Sequence, residues 1–426
     1  MLGRHAAGTA AGRLKRQRLR RQRGDAESGE LVRRCVPERI VVVGGGLAGL
    51  RTVEELRALG YAGSLTLVGA ERRAPYDRPP LSKKVLTGAL DDTTLRADLS
   101  ALGVDARLGE QAVALGDEVV RTDAAEHRFD ALMIATGASP VLLPGPGPQR
   151  VLRTLDDALS LRDLLQPGAA LAIVGAGWIG AELATAAAGR GCRVTVVEAG
   201  PAPLAAALGP EAGRLTEPWY AAAGVELRLS QPVESVQPAG LMLAGGSLLA
   251  ADVVVTAVGV RPAVGWLAGS GVAIDNGVAA DGQLRTSVPG VFAAGDCASF
   301  WSARYQRQLR FEHWDIALHQ PEAAAANVLG GSVGYDPVPY FWSEQFGRMV
   351  QYAGYHGDAG RLLLRGDPAG ERWSACWLRE DRLVALLAVN APRDLLQGRR
   401  VIESGQPVDP ARLAQPGIAV RDCLRS

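Results

Sequence analysis

Lysine is nearly missing from this chain of 426 residues: Lys15, Lys83 and Lys84 are the only ones among 46 basic residues. Cysteine is sparse as well, and Cys35, Cys192, Cys297, Cys376 and Cys423 never form a C-x-x-C pair. That argues against a zinc knuckle or a thioredoxin-type redox disulfide and fits a reducing, cytoplasmic compartment. The five histidines do not cluster, and His313 and His319, six apart, fall on different faces of a helix. No metal site is expected. Long apolar runs are missing too. "IVVVGGGLAGL" and "ALAIVGAGWIGAELATAAAG" are broken by glycines or carry charge, so neither reads as a membrane span.

The near-neutral net charge of +1 hides two unlike parts. Residues 1–36 hold ten basic and three acidic residues, a net +7, which leaves 36 basic against 42 acidic, a net −6, for the rest. "RLKRQRLRRQRG" has too little apolar content to offset its ordering entropy, so a disordered tail or a misplaced start codon is expected. A transit peptide or an anionic-surface tether stays open.

What is abundant is glycine, 52 residues, and some of it is in register. A β-branched run, Ile40 to Val43, of the kind buried on both faces of a sheet, leads into Gly44, Gly46 and Gly49, a G-x-G-x-x-G. A helix with apolar Leu50, Val53, Leu56 and Leu59 follows, then the strand-like "SLTLVG" and an acid, Glu71. One glycine makes the tight turn, one lets a pyrophosphate approach the backbone, and one lets helix and strand pack closely. The phosphates sit on the helix N-terminus and the acid on ribose hydroxyls. The pattern recurs in "LAIVGAGWIGAELATAAAGRGCRVTVVEAG", with Gly175, Gly177, Gly180 and Glu198 in the same places. Two units imply two dinucleotides.

Two further apolar strands ending in tight turns, "ALMIATGASP" with Thr136 and Gly137 and "GVFAAGDCA" with Asp296, flank the second unit. The chain therefore leaves one domain, builds another and returns. A site made from two separated segments suits a permanently held FAD, with Asp296 near its ribitol or phosphate region. The self-contained unit, which includes Gly259 of "TAVGV", suits an exchangeable nicotinamide nucleotide. Glu198 would accept bonds from a free 2′-hydroxyl and repel a 2′-phosphate, and "AGPAPLAAALG" after it has no arginine, so NADH is preferred to NADPH.

In order, "VVGGGLAGL", "PYDRPPLSK", "MIATGASP", "LRTLDDA", "IVGAGWIGAELA", "VFAAGDCA", "FEHWDIA" and "PVPYFWSEQFG" resemble the FAD-dependent pyridine nucleotide oxidoreductases of the ferredoxin and rubredoxin reductase type, over residues 38 to 405. The resemblance implies an α/β fold with two Rossmann-like domains, the FAD domain discontinuous (37–149 and 265–332) and the NAD domain inserted (150–264). A small α+β domain (333–426) completes it. It places Lys83 beside the flavin N5, where a compact ammonium serves better than a planar guanidinium. Lys84 is expected to be a solvated neighbour. Arg78, Ala48, Val113, Arg153, Asp296 and Trp314 are implied FAD contacts, Trp314 having a core tryptophan as its alternative. Glu182 is implied to position the nicotinamide carboxamide. Departures occur at Ala70, where an acid is common, at Ala263, where asparagine is usual, and at Pro321, Gly347 and Arg348.

The implied reaction is hydride transfer from NADH to FAD and single-electron delivery to a ferredoxin or rubredoxin serving a cytochrome P450 or aromatic-ring dioxygenase. Arg304, Arg307 and Arg310 are the candidate docking cluster for that acidic partner. No nucleic acid or membrane partner is expected, and monomer and homodimer both stay open. Competing readings are a signalling flavoprotein of the apoptosis-inducing-factor type and a disulfide or peroxide reductase using Cys297.

Overall fold

The computed structural model describes residues 36–425, so the basic stretch expected to be a tail lies outside the described residues. The β-branched run forms β1 (Arg39–Val43), with Ile40 to Val43 all at most 3% exposed because layers cover both faces. The chain crosses through α1 (Leu47–Ala58) to β2 (Ser64–Gly69), then to β3 (Asp105–Leu108). After a small antiparallel sheet over 112–128 it reaches β4 (Ala131–Ile134), parallel to β1 on the other side. Placing β4 beside β1 creates the crevice, outside the strands' carboxyl ends, where open α/β sheets bind ligands.

The second unit repeats the plan with β5 (Ala170–Val174), α2 (Trp178–Gly189), β6 (Arg193–Val197), β7 (Glu226–Arg228) and β8 (Val253–Thr256), in the parallel order β7-β6-β5-β8. The chain then returns, and β9 (Val291–Ala293) pairs with β4 to complete the first sheet in the order β9-β4-β1-β2-β3. Helix α3 (Trp314–Val328) packs beside α1, and Leu50, Val53 and Leu56 share one core with Ile316, Ala323, Ala324 and Val328.

The C-terminal part is an antiparallel sheet of β10 (Tyr340–Gln345), β11 (Arg348–Gly354), β12 (Arg361–Arg365), β13 (Trp373–Arg379) and β14 (Arg382–Val389), ordered β10-β11-β14-β13-β12. Helix α4 (Pro392–Ser404) lies against it through Leu395, Val401 and Ile402. Gly398 permits this closeness, since a Cβ there would come within 2.7 Å of Leu386. Among the described residues no helix is long and apolar enough to cross a membrane.

Candidate functional site

The carboxyl ends of β1, β4, β5 and β8 open onto one cavity of about 1370 Å³. The two glycine motifs shape it identically. Gly44 has φ +129°, and a Cβ there would lie 2.0 Å from the Ala135 oxygen; Gly175, at φ +101°, would meet the Ala257 oxygen at 2.5 Å. Gly49 and Gly180 lie beneath the turns, where a Cβ would strike the Gly44 and Gly175 oxygens at 1.8 and 2.0 Å. The middle glycines differ: a Cβ on Gly46 or Gly177 would meet nothing within 4 Å, and both line the cavity. The motif thus spends its outer glycines on packing and its middle one on clearance for a ligand.

Around the first unit the polar groups form a charged network. Glu71 accepts from Tyr76 Oη at 2.5 Å and from Arg78 at 2.6 Å, and Arg78 also donates to the Arg153 carbonyl. Burial pushes the Tyr76 phenol up to about 12, so it stays a donor. Arg153 pairs with Asp296 at 2.8 Å, joining segments 143 residues apart, with its guanidinium over Gly137. Thr136 donates to the Ala263 carbonyl at 2.8 Å, a backbone contact indifferent to the departure from asparagine. The second unit has no such network: Glu198 accepts from the Ala176 and Gly200 amides, both at 2.7 Å, and no lysine or arginine lines the cavity between residues 174 and 260. Gly259 lines it at φ +104°.

Lys83 and Glu182, 99 residues apart, meet at 2.8 Å between the units. Pro79 and Pro80 lead into a wide, π-type helical turn, Leu81–Val85, in which Lys83 is partly buried toward Glu182 while Lys84 is exposed. The Glu182 carboxylate, only 5% exposed, accepts from Lys83 and Ser82 on Oε2 and from Ser343 Oγ (2.6 Å) and the Glu344 amide (3.3 Å) on Oε1. A carboxylate has about four lone-pair sites. These four donors come from this chain, and Glu182 also lines the cavity.

Trp314 opens α3 and donates its indole N–H to Asp77 at 2.6 Å, with Trp342 edge-on at 5.6 Å. It lines the cavity and is not a core tryptophan. His313, just before it, stacks between Phe311 and Phe341, and burial holds its imidazole down at about 4. His313 Nδ1, Arg310 Nε and Trp266 Nε1 are buried, partnerless atoms of cavity-lining residues.

Three expectations change. Val113 is 50% exposed and does not line the cavity, whereas its neighbour Ala112 does; the strand pairing shifts register between Ala112 and Ala114 and leaves Val113 without a partner. Arg304, Arg307 and Arg310 do not form a free basic cluster. Arg304 donates to the Ile402 and Glu403 carbonyls at the end of α4, Arg307 to Tyr355 and Asp358, and Arg310 to the Asp296 carbonyl and Glu312 inside the cavity. Arg304 is tied to the end of α4 and Arg310 to the cavity wall, whereas the Arg307 pair with Asp358 stays at the surface, 38% and 44% exposed. Cys297 is fully buried, its thiol facing the Ile134 and Ala294 carbonyls and pushed up in pKa by burial, so it offers no reactive thiolate to the cavity. Sequence reading also passed over Ser82, Ser343 and Asp77, although each lies in a motif quoted for other residues.

Two family models cover this architecture: pyridine nucleotide-disulphide oxidoreductase over residues 38–320 and reductase C-terminal over 340–424. The chain belongs to the pyridine nucleotide-disulphide oxidoreductase family and is an oxidoreductase. It is 34% identical, over 90% of its length and 98% of the relative's, to the p-cumate 2,3-dioxygenase system ferredoxin–NAD(+) reductase component of Pseudomonas putida. It is also 34% identical to the rhodocoxin reductase of Rhodococcus erythropolis, over 88% of this chain and 92% of that one. Among solved structures, Fdr9 aligns with TM-score 0.87 at 48% identity, covering 90% and 99% of the two chains. The putidaredoxin reductase of a covalent complex with putidaredoxin aligns with TM-score 0.87 at 29% identity, covering 91% and 98%. The family works with FAD and a pyridine nucleotide. The residues present fit both: Gly46 and Gly177 leave clearance on which two pyrophosphates could lie, and the partnerless buried atoms belong to residues that line the same cavity.

Proposed function

We propose that the chain is an NADH-dependent ferredoxin reductase that passes electrons from NADH through FAD to a small iron-sulfur protein serving a cytochrome P450 or an aromatic-ring dioxygenase. The observation that carries this reading is that both nucleotide units open into the same cavity, with a lysine–carboxylate pair at their junction. FAD, when bound, accepts two electrons as hydride and releases them one at a time.

The residues of this chain supply alignment, charge and shielding. Gly46, Arg153 and Asp296 would hold the flavin's phosphates and ribitol, with Ala48 beneath the turn and Glu71 at the ribose. Lys83, held by Glu182, would stand at the flavin N5 and favour the electron-rich reduced ring. The amides at the start of α3 would face the edge where negative charge gathers on reduction. Gly177, Glu198 and Gly259 would seat NADH, and cavity-lining Ile179 and Val258, 43% and 39% exposed, offer it apolar cover. Preference for NADH rests on Glu198 and on the want of any lysine or arginine among the cavity-lining residues from 174 to 260. Trp314 and Trp342 mark the edge at which an iron-sulfur partner would take electrons. Free, buried or half-buried cysteines support a cytoplasmic setting.

The test is an anaerobic NADH titration of the purified flavoprotein, followed by a [2Fe-2S] ferredoxin and cytochrome c. Bleaching of the flavin band with ferredoxin-dependent cytochrome reduction is expected. Bleaching without transfer to any iron-sulfur acceptor would overturn the ferredoxin assignment and move weight to a signalling role.

A further inference from the structure

The motif "YFWSEQFG" contributes Ser343 to the site from β10, a strand of the C-terminal sheet that carries none of the nucleotide-binding glycines. Ser343 is 1% exposed, and its hydroxyl lies 2.6 Å from Glu182 Oε1. An ionised carboxylate only accepts, so the single hydroxyl proton must point at Glu182. Gln345, also 1% exposed, donates its amide to the Ser343 oxygen at 3.0 Å, filling a lone pair and leaving the proton that direction. The strand is registered on the same face of α2 three residues further on, where the Phe346 amide donates to Thr185 Oγ at 2.9 Å. A buried chain of polar contacts therefore runs from Gln345 through Ser343 and Glu182 to the Lys83 ammonium.

We propose that Ser343, seated by Gln345, is a positioning residue for Lys83: it locks the Glu182 carboxylate so that the ammonium is presented to the cavity in one geometry, and the C-terminal sheet thereby completes the hydride-transfer site. This rests on the reading that Lys83 stands at the flavin. Without Ser343, Glu182 Oε1 retains only the 3.3 Å contact from the Glu344 amide, and the carboxylate is free to rotate away from Lys83. Lys83 itself then keeps only the Pro79 carbonyl at 3.2 Å and the longer contact to Ser82.

The near absence of lysine makes the test direct, because Lys84 is an exposed internal standard next in sequence. Brief acetylation of the full-length chain with acetic anhydride, read by mass spectrometry, gives the ratio of Lys83 to Lys84 labelling. Ser343→Ala is expected to raise that ratio about five-fold, since a charge-assisted bond holding the pair is lost, and Ser343→Thr to restore it. In stopped-flow reduction of the same variants, the limiting rate with NADH should fall about ten-fold in Ser343→Ala while the NADH concentration at half-saturation stays within about two-fold, the mark of lost positioning instead of lost binding. An unchanged labelling ratio, or a change confined to half-saturation, would overturn the proposal. If Ser343→Ala does not fold, Gln345→Met carries the same labelling test. The labelling needs no turnover, so a wild-type protein that NADH fails to reduce would defeat the reductase reading while the ratio still decides the role of Ser343.

Discussion

The two nucleotide-binding units are near copies in backbone and opposites in what closes over them. In the first, the acid after the second strand is held by side chains, Tyr76 and Arg78, and the cavity wall is completed by Arg153 and Asp296 from far along the chain. In the second, the acid is held by two backbone amides of its own loops, and the unit is one continuous stretch. A ligand enclosed by segments distant in sequence can leave only when several elements move together. A ligand seated on one contiguous unit can come and go. The same turn geometry therefore suits a resident cofactor in one place and an exchanging one in the other, and the difference lies in the surroundings of the motif.

The sharpest way to break this contrast is to fill the two clearances. Gly46→Val should fold, since its Cβ meets nothing, yet purify with less than about a tenth of the normal flavin absorbance. Gly177→Val should stay fully yellow and raise the half-saturating NADH concentration roughly a hundred-fold. Loss of flavin from both variants would mean the units do not hold separate ligands. Next in size is Asp296→Ala, which strands the Arg153 guanidinium in a half-buried site. It should cost about 2 kcal/mol in thermal unfolding and speed flavin release about ten-fold. Its counterpart in the second unit, Glu198→Gln, keeps an acceptor and should cost under about 1 kcal/mol. In kcat/KM comparisons it should narrow the preference for NADH over NADPH about ten-fold.

The smallest effect concerns pH. His313 sits at the first site with its folded pKa near 4, below the ordinary value of 6.5, whereas no histidine lines the second unit. A depressed histidine contributes stability that is complete above about pH 6.5 and is lost as pH falls toward 4, because the unfolded chain binds the proton first. The melting temperature should fall over that window, and His313→Phe should flatten the fall by a few degrees relative to wild type. An identical pH profile in the variant would remove His313 from the account.

Much of this was legible beforehand, and the reason is locality. The strand–glycine–helix–acid pattern states what the backbone needs over some thirty contiguous residues, so Gly44, Gly46, Glu71, Gly175, Gly177 and Glu198 were all readable, and the interrupted first domain followed from two stray apolar strands. Less was legible wherever a side chain's partner lies far away. Val113 and Ala112 are adjacent, yet Ala112 pairs with Thr122 while Val113 falls at a register shift, and only the pairing of the strands reveals that. Arg304 and Arg310 looked free until α4 and the cavity wall supplied acceptors, and Arg307 pairs with Asp358, 51 residues away.

The sequence by itself determined that this protein carries two glycine turns of the dinucleotide-binding kind and that a lysine motif lies between them, because tight turns and helix starts are set by residues adjacent in the chain. Only the tertiary structure decided that Glu182 serves Lys83 from 99 residues away and that Ser343, 161 residues from Glu182, locks the pair. Such contacts depend on how three folded layers dock, and a buried carboxylate takes whichever donors that docking brings within reach.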